Sequence, residues 1–124
     1  MSKFIFLLIC VLVFNSAINA KENLNVKKIS ISQNIAGVST ERKFLMHLPT
    51  NFDFEDVYPV IFFLHGRGGK MEQFPGILHK FVNSHKFIGI YPQGYLNSWN
   101  LGKEPSKAND IHFVEAILDN LEKV

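Results

Sequence analysis

Apolar and polar residues alternate along residues 25–35 (NVKKISISQNI), where Val26, Ile29 and Ile31 are set against Lys28, Ser30 and Ser32. That pattern predicts a strand with one wet face. Residues 36–40 (AGVST) are turn-like, and residues 41–48 (ERKFLMHL) read as a second strand closed by Pro49. Together they predict an antiparallel hairpin. A polar and aromatic loop follows at 50–58 (TNFDFEDVY). Pro59 then opens a strand, where its missing N–H costs little. Residues 60–64 (VIFFL) contain no polar side chain. A strand of that kind is expected to be buried on both faces, as in parallel sheets covered by helices.

The period then changes to that of a helix. Residues 74–84 (FPGILHKFVNS) place Phe74, Ile77, Leu78, Phe81 and Val82 on one side, with Pro75 tolerated in the first turn. Residues 87–91 (FIGIY) form another short apolar strand, ended by Pro92. Asp110 reads as a helix N-cap, and Ile111, Val114, Ile117, Leu118 and Leu121 make one stripe of a last helix. The order β, β, β, α, β, loop, α predicts an α/β fold in which a hairpin is followed by a right-handed parallel β-α-β unit. The length of 124 residues suits one domain, and 47% hydrophobic against 19% charged residues predicts a packed core.

Residues 1–20 are expected to lie outside that domain. Lys3 precedes an apolar run of eleven, residues 4–14 (FIFLLICVLVF), and the polar, small-residue stretch NSAINA at 15–20. This is the layout of a cleavable signal peptide, with cleavage after Ala20. Eleven residues at about 1.5 Å each do not cross a hydrocarbon core of about 30 Å, which argues against a membrane anchor. Cys10, the only cysteine, lies inside this run and lacks the small-residue pattern of a lipoprotein. Residues 21–124 would then be secreted or periplasmic and fold without disulfides. The formal charge of +2, with no block of like charges, gives no footprint for nucleic acid or an anionic membrane.

The apolar run at 60–64 ends abruptly in His65-Gly66-Arg67-Gly68-Gly69. In open α/β sheets, ligands bind outside the carboxyl ends of the strands, which is where this segment falls. Glycines let backbone approach a ligand closely, and free N–H groups in such a loop can stabilise an oxyanion. A plain tight turn is the simpler alternative. A phosphate loop would need G-x-x-x-x-G-K-[ST] or G-x-G-x-x-G, and neither is present.

At these residues the chain resembles the N-terminal half of a secreted α/β-hydrolase of the poly(3-hydroxybutyrate) depolymerase and feruloyl esterase type. Residues 42–49 (RKFLMHLP) resemble that family's R-x-Y-x-L-x-x-P strand, with Phe44 in the tyrosine place. Residues 59–69 (PVIFFLHGRGG) resemble its P-hydrophobic-LHG-x-G-G strand and oxyanion loop, and residues 88–94 (IGIYPQG) its V-x-Y-P-x-G strand. Trp99-Asn100 resembles the tryptophan that follows, and Asp110 to Phe113 (DIHF) the D-x-x-F opening of the next helix. The similarity spans about residues 40–124. The resemblance implies an ester hydrolase that works through an acyl-enzyme, without a cofactor, on a polyester, a feruloyl ester or a small ester. It implies that the loop of Gly66 and Arg67 supplies oxyanion donors, with the Arg67 N–H among them. His65, Gly68 and Gly69 would support that loop.

The resemblance also implies a serine nucleophile, usually in G-x-S-x-G, then an acid and a base. None of Ser30, Ser32, Ser39, Ser84, Ser98 and Ser106 has glycine at both −2 and +2. The expectation is therefore an incomplete hydrolase domain over 21–124, with no catalytic triad member and negligible activity alone. Half a sheet would leave one apolar edge open and favour self-association. A non-catalytic secreted binding protein derived from the same fold is the alternative of another class, and a different serine hydrolase, such as a peptidase or lysophospholipase-like enzyme, is a third.

Other residues invite readings of their own. Gln93, Tyr95 and Trp99 lie in the long loop 93–109, where substrate contacts often gather, and loop packing competes for Trp99. His79 and His85 are six apart rather than four, which argues against a metal pair. His47 is expected to be exposed, and Glu115 with Asp119 to form a solvated face.

Overall fold

A computed structural model describes residues 24–123. The expected signal peptide lies outside the described residues. Strand β1 (Val26–Ile35) and strand β2 (Val38–His47) form the hairpin, in register from Val26 opposite His47 to Ile35 opposite Val38. The turn is tighter than the sequence pattern implied. Only Ala36 and Gly37 connect the strands, with φ of 50° and 85°, the double positive φ that matches strand twist. Strand β3 (Val60–Phe62) leads through a single helical turn (Met71–Gln73) into helix α1 (Phe74–His85). Strand β4 (Ile88–Pro92) and helix α2 (Asp110–Leu121) complete the set. The sheet order is β1-β2-β4-β3, with β3 and β4 parallel and the other pairs antiparallel.

Alternate residues of β2 divide the core between the two faces. Phe44, Met46 and Leu48 pack with Ile90 against Phe113 and Ile117 of α2. Leu45 packs with Tyr91 and Met71, and Phe74 and Leu78 of α1 close over them. One helix thus covers each face, and the period of two along the strands dictates which side chain meets which helix.

Three expectations change. The run at 60–64 is not buried on both faces: β3 is an edge strand, and Val60, Ile61 and Leu64 are 37%, 39% and 54% exposed. Its apolar character has no second neighbouring strand among the described residues to bury it. The stripe on α1 is rotated. Pro75, His79 and Val82 face inward while Ile77 and Phe81 are exposed. Phe81 instead lines an open apolar groove of about 400 Å³ beside β3, with Ile61, Phe63, Leu78 and Phe87. On α2, Phe113 and Ile117 carry the burial and Ile111 is exposed.

Asp110 is also not the cap of α2. The side chain of Asn109 accepts from the His112 N–H and performs that role. Asp110 occupies the first helical position, where an anion is favoured by the helix dipole. Its partner is Arg42, which is 2% exposed. One guanidinium nitrogen donates to Asp110 at 2.8 Å and another to Gln33 Oε1 at 2.6 Å. The guanidinium carbon lies 4.0 Å from the centre of the Phe113 ring. Burial pulls the Arg42 pKa below its ordinary value and the hydrogen bond to Asp110 opposes that pull. Asp110 also accepts from the Asn100 N–H at 2.7 Å, so one carboxylate fixes both a helix start and the loop before it.

Removing that carboxylate leaves a buried cation without its anion. Asp110→Ala is expected to lower stability by about 3 kcal/mol, within the usual range for breaking a buried pair. Urea denaturation checks this, and a loss below about 1 kcal/mol would show that Arg42 finds another anion or water.

Candidate functional site

The segment 65–69 leaves the carboxyl end of β3 and folds against the loop that leaves β4 beside it. His65 is the hinge of that contact and is almost fully buried. Its Nε2 accepts from the Gly94 N–H at 2.9 Å, and its Nδ1 lies 2.8 Å from the Gly66 carbonyl oxygen. A backbone N–H can only donate and a carbonyl can only accept. The ring is therefore the neutral tautomer with its proton on Nδ1. Both nitrogens are committed to the loop, which makes His65 a support and not a base.

Gly94 has no room for a side chain. A Cβ there would collide with the Ser98 carbonyl oxygen and lie 3.1 Å from the His65 ring. Gly69 is nearly as confined, with a Cβ falling 2.9 Å from the Gly66 carbonyl oxygen. Gly68 takes φ of 77° and donates its N–H to the Asn97 carbonyl at 2.7 Å. The Gly69 N–H donates to the Gly66 carbonyl at 2.9 Å. Among the described residues, the N–H groups of Gly66 and Arg67 make no hydrogen bond, and both residues are exposed. Two adjacent free donors on a loop whose other polar groups are tied down are what an oxyanion site requires.

Gln93 bridges the two loops through its side chain. Its Oε1 accepts from the Met71 N–H at 2.9 Å, and its Nε2 reaches the Gly69 carbonyl at 3.3 Å and Asn97 Oδ1 at 3.1 Å. The side chain is a clasp between the two loops. Trp99 is also a support: its indole N–H donates to the His65 carbonyl at 2.8 Å, and its ring lies 5.0 Å from the imidazole. Tyr95, half-buried in the turn Tyr95–Asn97, is the member of the three whose side chain makes no hydrogen bond among the described residues. Leu96 and Asn97 in that turn both have φ of 55°, a strained setting for leucine that brings the Asn97 carbonyl to Gly68.

Elsewhere the histidines part company with expectation. His47 is fully buried, not exposed, because its strand position faces α1 and not water. It contacts Tyr91 and His79. His79 is buried beside it, while His85 is exposed at the helix end and lies 2.9 Å from Ser84 Oγ. That serine–histidine pair sits at the C-terminal end of α1, a helix about 18 Å long at about 1.5 Å per residue, whereas the glycine loop precedes the helix's N-terminal end. The pair is not a nucleophile and base serving the candidate site. The sequence signal missed here was the inward register of His47 and His79, which are not apolar and so escaped the periodicity.

No protein-family model matches the chain, and no curated protein does. Seven chains of solved structures match. One is a ferulic acid esterase, at 20% identity and a TM-score of 0.50, covering 80% of this chain and 44% of that one. At this identity the likeness is one of fold. The chain therefore shares a distant esterase-like α/β fold and spans less than half the length of that esterase.

Proposed function

We propose that residues 24–123 form the oxyanion-supplying half of an exported carboxylic ester hydrolase. The observation that carries this reading is the pair of free N–H groups on Gly66 and Arg67, held by His65, Gln93 and Gly94 at the carboxyl end of β3. In the complete enzyme a serine attacks the ester carbonyl, and these N–H groups receive the negative charge that develops on its oxygen. The alcohol leaves, and water then cleaves the acyl-enzyme. The nucleophile, acid and base belong to polypeptide outside these 124 residues.

That further polypeptide has an obvious place to join. The end of α2 (Leu118, Leu121, Glu122) lines one apolar groove together with Val60, at the start of β3. A chain leaving α2 is thus delivered to the free edge of β3, where a parallel strand would bury Val60 and Ile61. Without it, the edge is a template for a second copy.

Three outcomes are expected. The 124-residue chain alone gives no phosphonate-sensitive turnover of p-nitrophenyl or feruloyl esters, and such turnover would overturn the division of labour. In a longer product that carries the serine, Gly94→Ala lowers kcat by about 10²–10³ through the displaced donors; an unchanged kcat would remove this loop from catalysis. The isolated chain associates with rising concentration in light scattering, and Ile61→Lys on the open edge returns it to monomer. Association unaffected by that lysine would place the contact elsewhere.

A further inference from the structure

Much of the apolar surface left open in this chain gathers on one side of the sheet. Val60, Ile61 and Leu64 are exposed along the free edge of β3, Ile77 and Phe81 on α1, and Leu118 on α2. Ile61 and Phe81 line the groove of about 400 Å³ on the α1 face. On the other face, Val60 and Leu118 line a second groove of about 440 Å³ with Leu121, Ile88 and Phe54. The six exposed side chains offer on the order of 600 Å² of apolar surface. That is the upper end for the largest patch of a monomer and most of the about 800 Å² per partner of a stable interface. Residues 60–64 carry no charge and no proline, two devices that commonly blunt an edge.

Main-chain polarity limits how this edge can be covered. The Pro59 carbonyl accepts from the Ile88 N–H, and the Phe63 N–H donates to the Ile90 carbonyl, both at 2.9 Å. The odd-numbered residues of this segment thus bond to β4, and by strand alternation Val60, Phe62 and Leu64 turn their main-chain groups outward. Two two-fold operations bring identical edges together. An axis along the strands sets each outward N–H against its own symmetry mate, which cannot bond. An axis normal to the sheet gives an antiparallel pair, in which outward donors meet outward acceptors. One register of that pair lays the whole run 60–64 on itself, and apolar pattern is what sets register. Phe62 then lies on the axis, with Val60 opposite Leu64 and Ile61 opposite Phe63 of the other copy.

We propose that the 124-residue chain forms a closed two-fold dimer through β3, in which Leu64 of each copy enters the α2-side groove of the other. Val60 and Phe62 face α2, whereas Ile61 and Phe63 face α1. Leu64 shares the α2 face by alternation and arrives beside Val60 of the other copy, where the groove opens. On the opposite face the two α1 helices lie on the same side of the joined sheet, and the flanks that carry Ile77 and Phe81 meet across the axis. The contact uses one edge of each copy, so it closes at two. A second copy takes the same edge as a further strand would, and the dimer depends on that edge alone, whether or not the ester reading holds.

Cross-linking tests the register without any activity. In a Cys10→Ser background no other cysteine is present. Val60→Cys and Leu64→Cys proteins are oxidised separately and after mixing. In the dimer, residues 60 and 64 of opposite copies have Cα atoms about 5.5 Å apart, inside the disulfide range, while each is about 13 Å from its own mate. The mixture is expected to give at least about tenfold more cross-linked dimer than either protein alone. No cross-link in the mixture, or an equal yield from one variant with itself, would overturn the proposal. Sedimentation equilibrium of the chain without added cysteines is an independent arm. It should show a dimer and nothing larger, weakened at least about tenfold by Leu64→Asp and unaffected by Val38→Asp, an exposed apolar position at the hairpin end. A dimer indifferent to Leu64→Asp, equal weakening by both, or growth into larger species would each contradict it.

Discussion

The buried guanidinium of Arg42 is the constraint around which the rest of the molecule is arranged. A cation at 2% exposure is costly unless its donors are met; here the two terminal nitrogens reach Gln33 on β1, Asp110 at the start of α2 and, at 3.5 Å, the Gln93 carbonyl after β4, while Nε is buried with no hydrogen-bond partner among the described residues. Those three points fix the hairpin, the helix and the second loop of the candidate site relative to one another. Gln93 then passes the constraint on. With its carbonyl turned to Arg42, its side chain is aimed at Gly69, Met71 and Asn97. A surface charge pair would not have this reach, because water would satisfy either partner alone.

This arrangement explains why scattered stretches of sequence belong together. Arg42 and the D-x-x-F stretch are 68 residues apart, yet Arg42 pairs with Asp110 and lies over Phe113. The LHG-x-G-G and Y-P-x-G stretches meet because His65 accepts from the Gly94 N–H. Trp99 closes on the His65 carbonyl, and Asn100 on Asp110. Each stretch is a short and unremarkable pattern by itself. Their meaning lies in one hydrogen-bonded network that spans the carboxyl ends of β3 and β4.

Much of this was legible in the chain. The hairpin, the β3-α1-β4 unit and the last helix follow from periodicity, and the glycine loop follows from its place after an apolar strand. His65, to which the family resemblance gives a supporting role, contacts the Gly94 N–H and the Gly66 carbonyl through its two ring nitrogens. What periodicity could not supply was the register of polar residues inside the core. His47 and His79 were invisible to an apolar count because each satisfies the other. Asp110 has the composition of a cap, and only the position of Arg42 shows why Asn109 caps instead. The exposure of residues 60–64 could not be read from their own composition. It depends on β3 standing at the edge of the described sheet, which is a property of strand order.

The central claim is that this fold is one part of a serine ester hydrolase, and the coding DNA tests it most directly. Sequencing through and beyond codon 124 is expected to find a reading frame that encodes a strand, a G-x-S-x-G turn and a helix, followed by an aspartate and a histidine. If every frame there lacks such a serine, the catalytic account of Gly66 and Arg67 is contradicted, and the loop belongs to a binding protein built on the same sheet.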